Sequence, residues 1–81
     1  MQNKAMNCEY PAISKREKAC LAWTAKGKSS RAIGKALSIS EHTVNCHLRN
    51  AMRKLNCSSR MTAALKAVEL GFIRLHDEPD L

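Results

Sequence analysis

The segment SSRAIGKALSISEHTVNCHLRNAMRKL, residues 29–55, leaves two helices only three residues in which to change direction. Ile33 and Leu37 are four apart and form the apolar edge of a helix over 30–37, capped by Ser29. Val44, Leu48, Ala51 and Leu55 step by four, three and four, which predicts a second helix over 41–55. Ser40 caps that helix and Asn56 supplies a left-handed stop. Ser38-Ile39-Ser40 is too short for anything but a turn, so the two helices must meet at a sharp angle, as in a helix-turn-helix. Gly34, inside the first helix, costs about 1 kcal/mol relative to alanine and marks a place where another helix crosses closely.

The rest of the chain is also helical. Ser14 with Glu17 three residues later is a capping box opening a helix over 15–26, and Gly27 follows its end. Cys20, Leu21 and Trp23–Thr24 are expected to face inward, with Lys15, Lys18, Ala22 and Lys26 on the wet side. Ser58 or Ser59 caps a fourth helix over 60–70, which Gly71 ends. Phe72, Ile73 and Leu75 form a short apolar closing segment. No run of period two suggests a strand, so the expected fold is all-α with four helices. Residues 1–12 read as a flexible lead or linker, 13–75 as the folded domain and 76–81 as an acidic tail.

Charge narrows the function. Net charge is +7. Residues 14–60 hold eleven lysines and arginines against Glu17 and Glu41, a local excess of nine. A field so concentrated on 81 residues favours a polyanionic partner. No apolar stretch approaches the roughly 20 residues of a membrane span and no signal-peptide pattern is present, so a cytoplasmic location is expected. A basic amphipathic membrane helix would need large apolar anchors, and Leu21 and Trp23 are claimed by the core. Cys8, Cys20, Cys46 and Cys57 include no CxxC pair and read as reduced thiols. His42 and Cys46 share a helix face, but no second Cys/His pair supplies the four ligands of a structural zinc. No carboxylate pair or Ser/His/Asp set is brought together, so no enzyme, cofactor or metal is expected.

The outer arc of the 41–55 helix presents His42, Asn45, Cys46, Arg49 and Arg53. Amide, imidazole and guanidinium groups on an exposed helix suit reading of the DNA major groove. Arginine can fork onto guanine O6 and N7, and asparagine can pair with adenine N6 and N7. Lys28, Ser29 and Ser30 at the start of the preceding helix, with Thr43 at the start of this one, suit phosphate. Arg53 and Lys54 would flank the groove.

From "KRE" through Leu21, Trp23, "GKS", "SISEHTVNCH", "NAMRKL" and the "SSR…A…A…G" spacing, residues 12–73 resemble the DNA-binding domain of LuxR-type transcriptional regulators. "NAMRKLN" and "ALKAVELGFI" look most like the quorum-sensing branch. The resemblance implies a four-helix domain that binds palindromic promoter DNA as a dimer. It places base reading on Asn45 and Arg49, with Cys46 beside them, and His42 shares their exposed helix face as a further candidate reader. It places phosphate contacts around Lys28, Ser29, Thr43, His47, Asn50 and Arg53. Glu17, Leu21 and Gly27 match framework positions. Ala32 stands where the family usually has an acidic residue, and Gly34 where it usually has alanine. With about a dozen residues ahead of the first helix, the chain reads as a stand-alone regulator or an excised effector domain, and no autoinducer pocket is encoded.

The fourth helix carries Thr62, Lys66 and Glu69 as a polar stripe, and apolar residues cover most of its circumference. A domain this small cannot bury so much of a peripheral helix alone. Small residues allow close helix approach, so Ala63, Ala64, Ala67 and Val68 are the expected homodimer contact. Two-fold pairing would set two reading helices about 34 Å apart, one turn of DNA. Double-stranded DNA, a second copy, and RNA polymerase or a full-length regulator are the expected partners, with no membrane. The alternative from another class is a protein-interaction module that heterodimerises with a full-length regulator and blocks it. An inhibitor of that kind has no need of Asn45, Arg49, Arg53 or the GKS segment, and their presence favours direct DNA binding.

Overall fold

A serine opens every helix. The computed structural model describes residues 12–73. It contains α1 (Lys15–Ala25), α2 (Ser30–Leu37), α3 (Glu41–Leu55) and α4 (Arg60–Glu69), with no strand among the described residues. Ser14, Ser29, Ser40 and Ser59 are the N-caps, and each side chain accepts a hydrogen bond from the backbone N–H three residues on. At Ser14 the capping box is complete, because the Glu17 carboxylate accepts from the Ser14 N–H at 2.9 Å. Positive φ follows every helix as well, at Gly27, Ser38, Asn56 and Gly71. The fold class and all four helices agree with the sequence reading; α1 and α4 each end one residue sooner than expected. Residues 1–11 of the lead with Cys8, the acidic tail and Leu75 lie outside the described residues.

α3 is the central helix, packed against α1, α2 and α4. Its spine of Val44, Leu48, Ala51 and Leu55 is buried, as its periodicity predicts. Cys20 and Leu21 of α1, Ile33 and Leu37 of α2, and Ala63, Ala64 and Ala67 of α4 complete the core with Ile13. The expected wet side of α1 needs one correction: Ala22 is buried, while Trp23 is only half-buried against the core. Burial pushes the Cys20 thiol up to about 11, so it stays a neutral packing group.

The close approach at Gly34 is real, but no helix body makes it. A Cβ built there would stand 2.7 Å from the Ile39 carbonyl oxygen and 3.3 Å from the Glu41 nitrogen. The turn itself folds back over α2, with the Ile39 N–H donating to the Gly34 carbonyl at 2.9 Å. Ser38 adopts φ 61° to begin that reversal. Gly34→Ala is therefore expected to destabilise the domain by about 1–3 kcal/mol, because backbone overpacking outweighs the gain in helix propensity. Urea unfolding followed by circular dichroism measures this; an unchanged or raised midpoint would contradict the steric reading.

A polar tie joins the last turn of α3 to the start of α1. Lys54 Nζ on α3 donates to Glu17 Oε1 at 2.8 Å and to the Ala12 carbonyl at 3.1 Å. Glu17 is 5% exposed. Partial burial raises its carboxyl pKa, but hydrogen bonds from Lys54 and Ser14 together with the Lys54 charge outweigh that and leave it below its ordinary value. A depressed carboxylate contributes stability that is present above its unfolded value of about 4.3 and is lost as pH falls through the folded one. Lys54→Met should cost about 2–3 kcal/mol at pH 7, on the low side for a buried pair because Lys54 stays partly wet. The stability gap between the wild type and Glu17→Gln should shrink as pH drops from 6 to 3. A gap independent of pH would show that the carboxylate charge contributes nothing.

Candidate nucleic-acid interface

The three-residue turn and the buried spine leave one face of α3 pointing away from the domain. His42, Arg49 and Arg53 are exposed there, and Cys46, His47 and Asn50 are partly so. His42 Nε2 and Cys46 Sγ are 3.7 Å apart, one helical turn along the same face. Arg53 donates to the Asn50 side-chain oxygen at 3.4 Å, which steadies a long cation at the edge of that face. Among the described residues no group of three or more His, Cys, Asp or Glu side chains could hold a metal. Cys20, Cys46 and Cys57 are free thiols.

The start of α2 lies beside this face. Lys28 and Ser29 are exposed. Ser29 caps the helix through Ala32, so its oxygen is held at the N-terminus, where the first N–H groups have no intrahelical acceptor. Thr43 is tied to Ser40 by its backbone N–H at 3.0 Å and its hydroxyl at 2.9 Å. It is thereby fixed at the start of α3, partly exposed. An array of cations, hydroxyls and helix N-termini on one side is suited to an anionic backbone, with the α3 face between its edges.

Several residues expected at this surface are placed otherwise. Ser30 is 6% exposed, and its hydroxyl donates to Asn45 rather than outward. Asn45 is half-buried, with its side-chain oxygen turned toward Ser30 and Arg60. Lys54 spends its ammonium on Glu17 and Ala12, away from the groove-flanking position. The alanines of α4 are also corrected: Ala63, Ala64 and Ala67 are 0% exposed inside the domain, packed in the core, and no partner can reach them. Their small size serves the approach of α4 to α1 and α3. The apolar surface of α4 consists instead of Met61 and Leu65, 42% and 53% exposed, with half-buried Val68 one turn on. Leu70 is exposed as well, on another side of the helix.

Arg60 is the residue that sequence reasoning missed. It was counted there only as a charge, yet Arg60 Nη1 donates to Ser30 Oγ at 2.7 Å and Nη2 to Asn45 Oδ1 at 3.1 Å. One signal was available. An arginine in the first turn of a helix opposes the macrodipole, so it needs a partner elsewhere.

Four short capped helices, a three-residue turn and a basic, outward-facing third helix define a helix-turn-helix domain of the transcription-regulator class, and no enzyme fold. The family model for "Bacterial regulatory proteins, luxR family" matches residues 11–67. The chain belongs to the LuxR family of bacterial regulatory proteins. It is 58% identical over 67 residues to the putative HTH-type transcriptional regulator y4qH of Sinorhizobium fredii, spanning 83% of this chain and 21% of that protein. It is 48% identical over 71 residues to the transcriptional activator protein LuxR of Aliivibrio fischeri, spanning 88% of this chain and 28% of that one. The solved structure of the transcription factor GerE superposes with a TM-score of 0.73 at 32% identity, covering 80% of this chain and 98% of that one. The chain thus spans between a fifth and three tenths of these two curated relatives' length.

Proposed function

We propose that the domain binds a palindromic promoter site as a homodimer, inserting α3 into the major groove, and so regulates transcription in the cytoplasm. The observation that carries this reading is the outward face of α3, where Arg49 stands exposed between His42, Cys46 and Arg53 while the capped start of α2 lies alongside. Arg49 is the principal base reader, forking onto guanine, with Asn45, Cys46 and His42 around it. Lys28, Ser29, Thr43, His47, Asn50 and Arg53 hold phosphates and set the register of the helix. No described helix is long and apolar enough to cross a membrane, and the basic charge of the α1–α3 segment supports a nucleic-acid partner. The resemblance of NAMRKLN and ALKAVELGFI to the quorum-sensing branch supports a role in population-dependent regulation. RNA polymerase is the partner through which activation would act.

Binding to a cognate duplex should weaken steeply with salt, each phosphate contact adding about −0.9 to the log–log slope. Arg49→Ala should cost roughly 1–3 kcal/mol on the cognate duplex and much less on random DNA, as fluorescence anisotropy can measure. Equal losses on both would remove Arg49 from base reading.

Dimerisation runs through the Met61–Leu65–Val68 stripe of α4, whose residues are spaced at four and three and lie on one helical face. Exposed leucine and methionine on a peripheral helix are the surface a second copy would cover. The same stripe would accept a full-length regulator, so the inhibitor reading shares it; the exposed Arg49 and Arg53 favour DNA binding of the chain's own. Leu65→Glu should give monomers in sedimentation while the helical signal is kept, and should weaken binding to the two-half-site duplex about tenfold or more. Dimers that survive this substitution would exclude the stripe. Ala64→Glu, by contrast, should unfold the domain, since it buries a charge in the core.

A further inference from the structure

Asn45 stands where α2, α3 and α4 meet. Its Oδ1 accepts from Ser30 Oγ at 2.5 Å and from Arg60 Nη2 at 3.1 Å, and the triangle closes through Arg60 Nη1, which donates to Ser30 Oγ at 2.7 Å. A guanidinium carries donors and no acceptor, so the amide atom that faces Arg60 has to be the oxygen. The carboxamide is therefore oriented by its neighbours, and its Nδ2 is the end left over. Among the described residues nothing accepts from that nitrogen. Ser30 is buried, while Arg60 and Asn45 are half-buried, so swinging the oxygen out would strand two donors away from full hydration.

We infer that Arg60 and Ser30 are positioning residues for base specificity: by occupying Oδ1 they make Asn45 a donor-only reader that selects a G·C pair over an A·T pair. The inference rests on the groove reading proposed above and revises the expectation that asparagine pairs with adenine. Bidentate adenine recognition needs Oδ1 to accept from N6 while Nδ2 donates to N7, and without Oδ1 only the weaker single bond to N7 is left. With Oδ1 taken, the adenine N6 amino group would face another donor. Guanine offers O6 and N7, two adjacent acceptors, to a group that can only donate. Arg60 lies in the first turn of α4, an unfavourable end for a cation, and its two bonds give that placement a purpose.

The test is selection of bound duplexes from a random pool by the wild type and by Asn45→Ala, Arg49→Ala, Arg60→Met and Ser30→Ala, each checked for helical content. Asn45→Ala marks its base pair as the one whose preference flattens. At that pair the wild type should favour G·C roughly fivefold or more. Arg60→Met and Ser30→Ala should each move the preference toward A·T there, and leave the pair marked by Arg49→Ala unchanged. Should Arg60→Met fail to fold, Ser30→Ala, which removes only a hydroxyl, still decides. A wild type that selects A·T at the marked pair overturns the inference. So does an Asn45→Ala protein with unaltered preferences, or an unshifted preference in the folded positioning variants. If the wild type enriches no sequence at all, groove reading fails, and the inference falls with it.

Discussion

The geometry of the domain hangs on the contact between Gly34 and the backbone of the turn. α2 fits against the turn as it stands because residue 34 has no Cβ, since one would lie 2.7 Å from the Ile39 carbonyl oxygen and the turn would have to shift. With a Cβ there the backbone of Ile39 would have to move, and the start of α3, with the Glu41 nitrogen 3.3 Å from the same point, would move with it. The position of Arg49 in space thus depends on an atom missing from a residue fifteen positions earlier. Glycine's low helix propensity is the cost of that fit.

Packing alone does not hold so small a domain in register. The core holds seven buried leucine, isoleucine or valine side chains, one helix contributes mostly alanine to it, and no aromatic ring among the described residues is fully buried. Polar ties between helices supply orientation that shape cannot. Lys54 fastens the last turn of α3 to the start of α1 through Glu17, whose second bond completes the cap at Ser14. Arg60 fastens the start of α4 to α2 and α3 through Ser30 and Asn45. Lys54 and Ser30, which read as phosphate ligands in the sequence, thus act as fasteners between helices. Charge-assisted bonds of this kind lose more when one member is removed than they gain when formed, which makes them better at fixing one arrangement than at raising stability.

The helices were legible because their starts and stops are encoded locally. Ser14, Ser29, Ser40 and Ser59 each act within three residues, and Gly27, Asn56 and Gly71 supply the reversals. The spine of α3 followed from its spacing. What could not be read were bonds between residues far apart in the chain. Nothing near Lys54 announces Glu17, thirty-seven residues away, and a lysine in the last turn of a basic helix looks like any other phosphate ligand. The alanines of α4 misled for a related reason. A small residue shows that something approaches closely, but sequence does not say whether the neighbour is the same chain or another.

The four serine caps also bear on time. A helix whose start is fixed by a residue three positions away can begin to form before any distant part of the chain arrives. Domains dominated by such local contacts fold in microseconds to milliseconds, far faster than those that must first pair remote strands. In a basic domain of this size, such speed shortens the interval in which its apolar residues are open to misassociation.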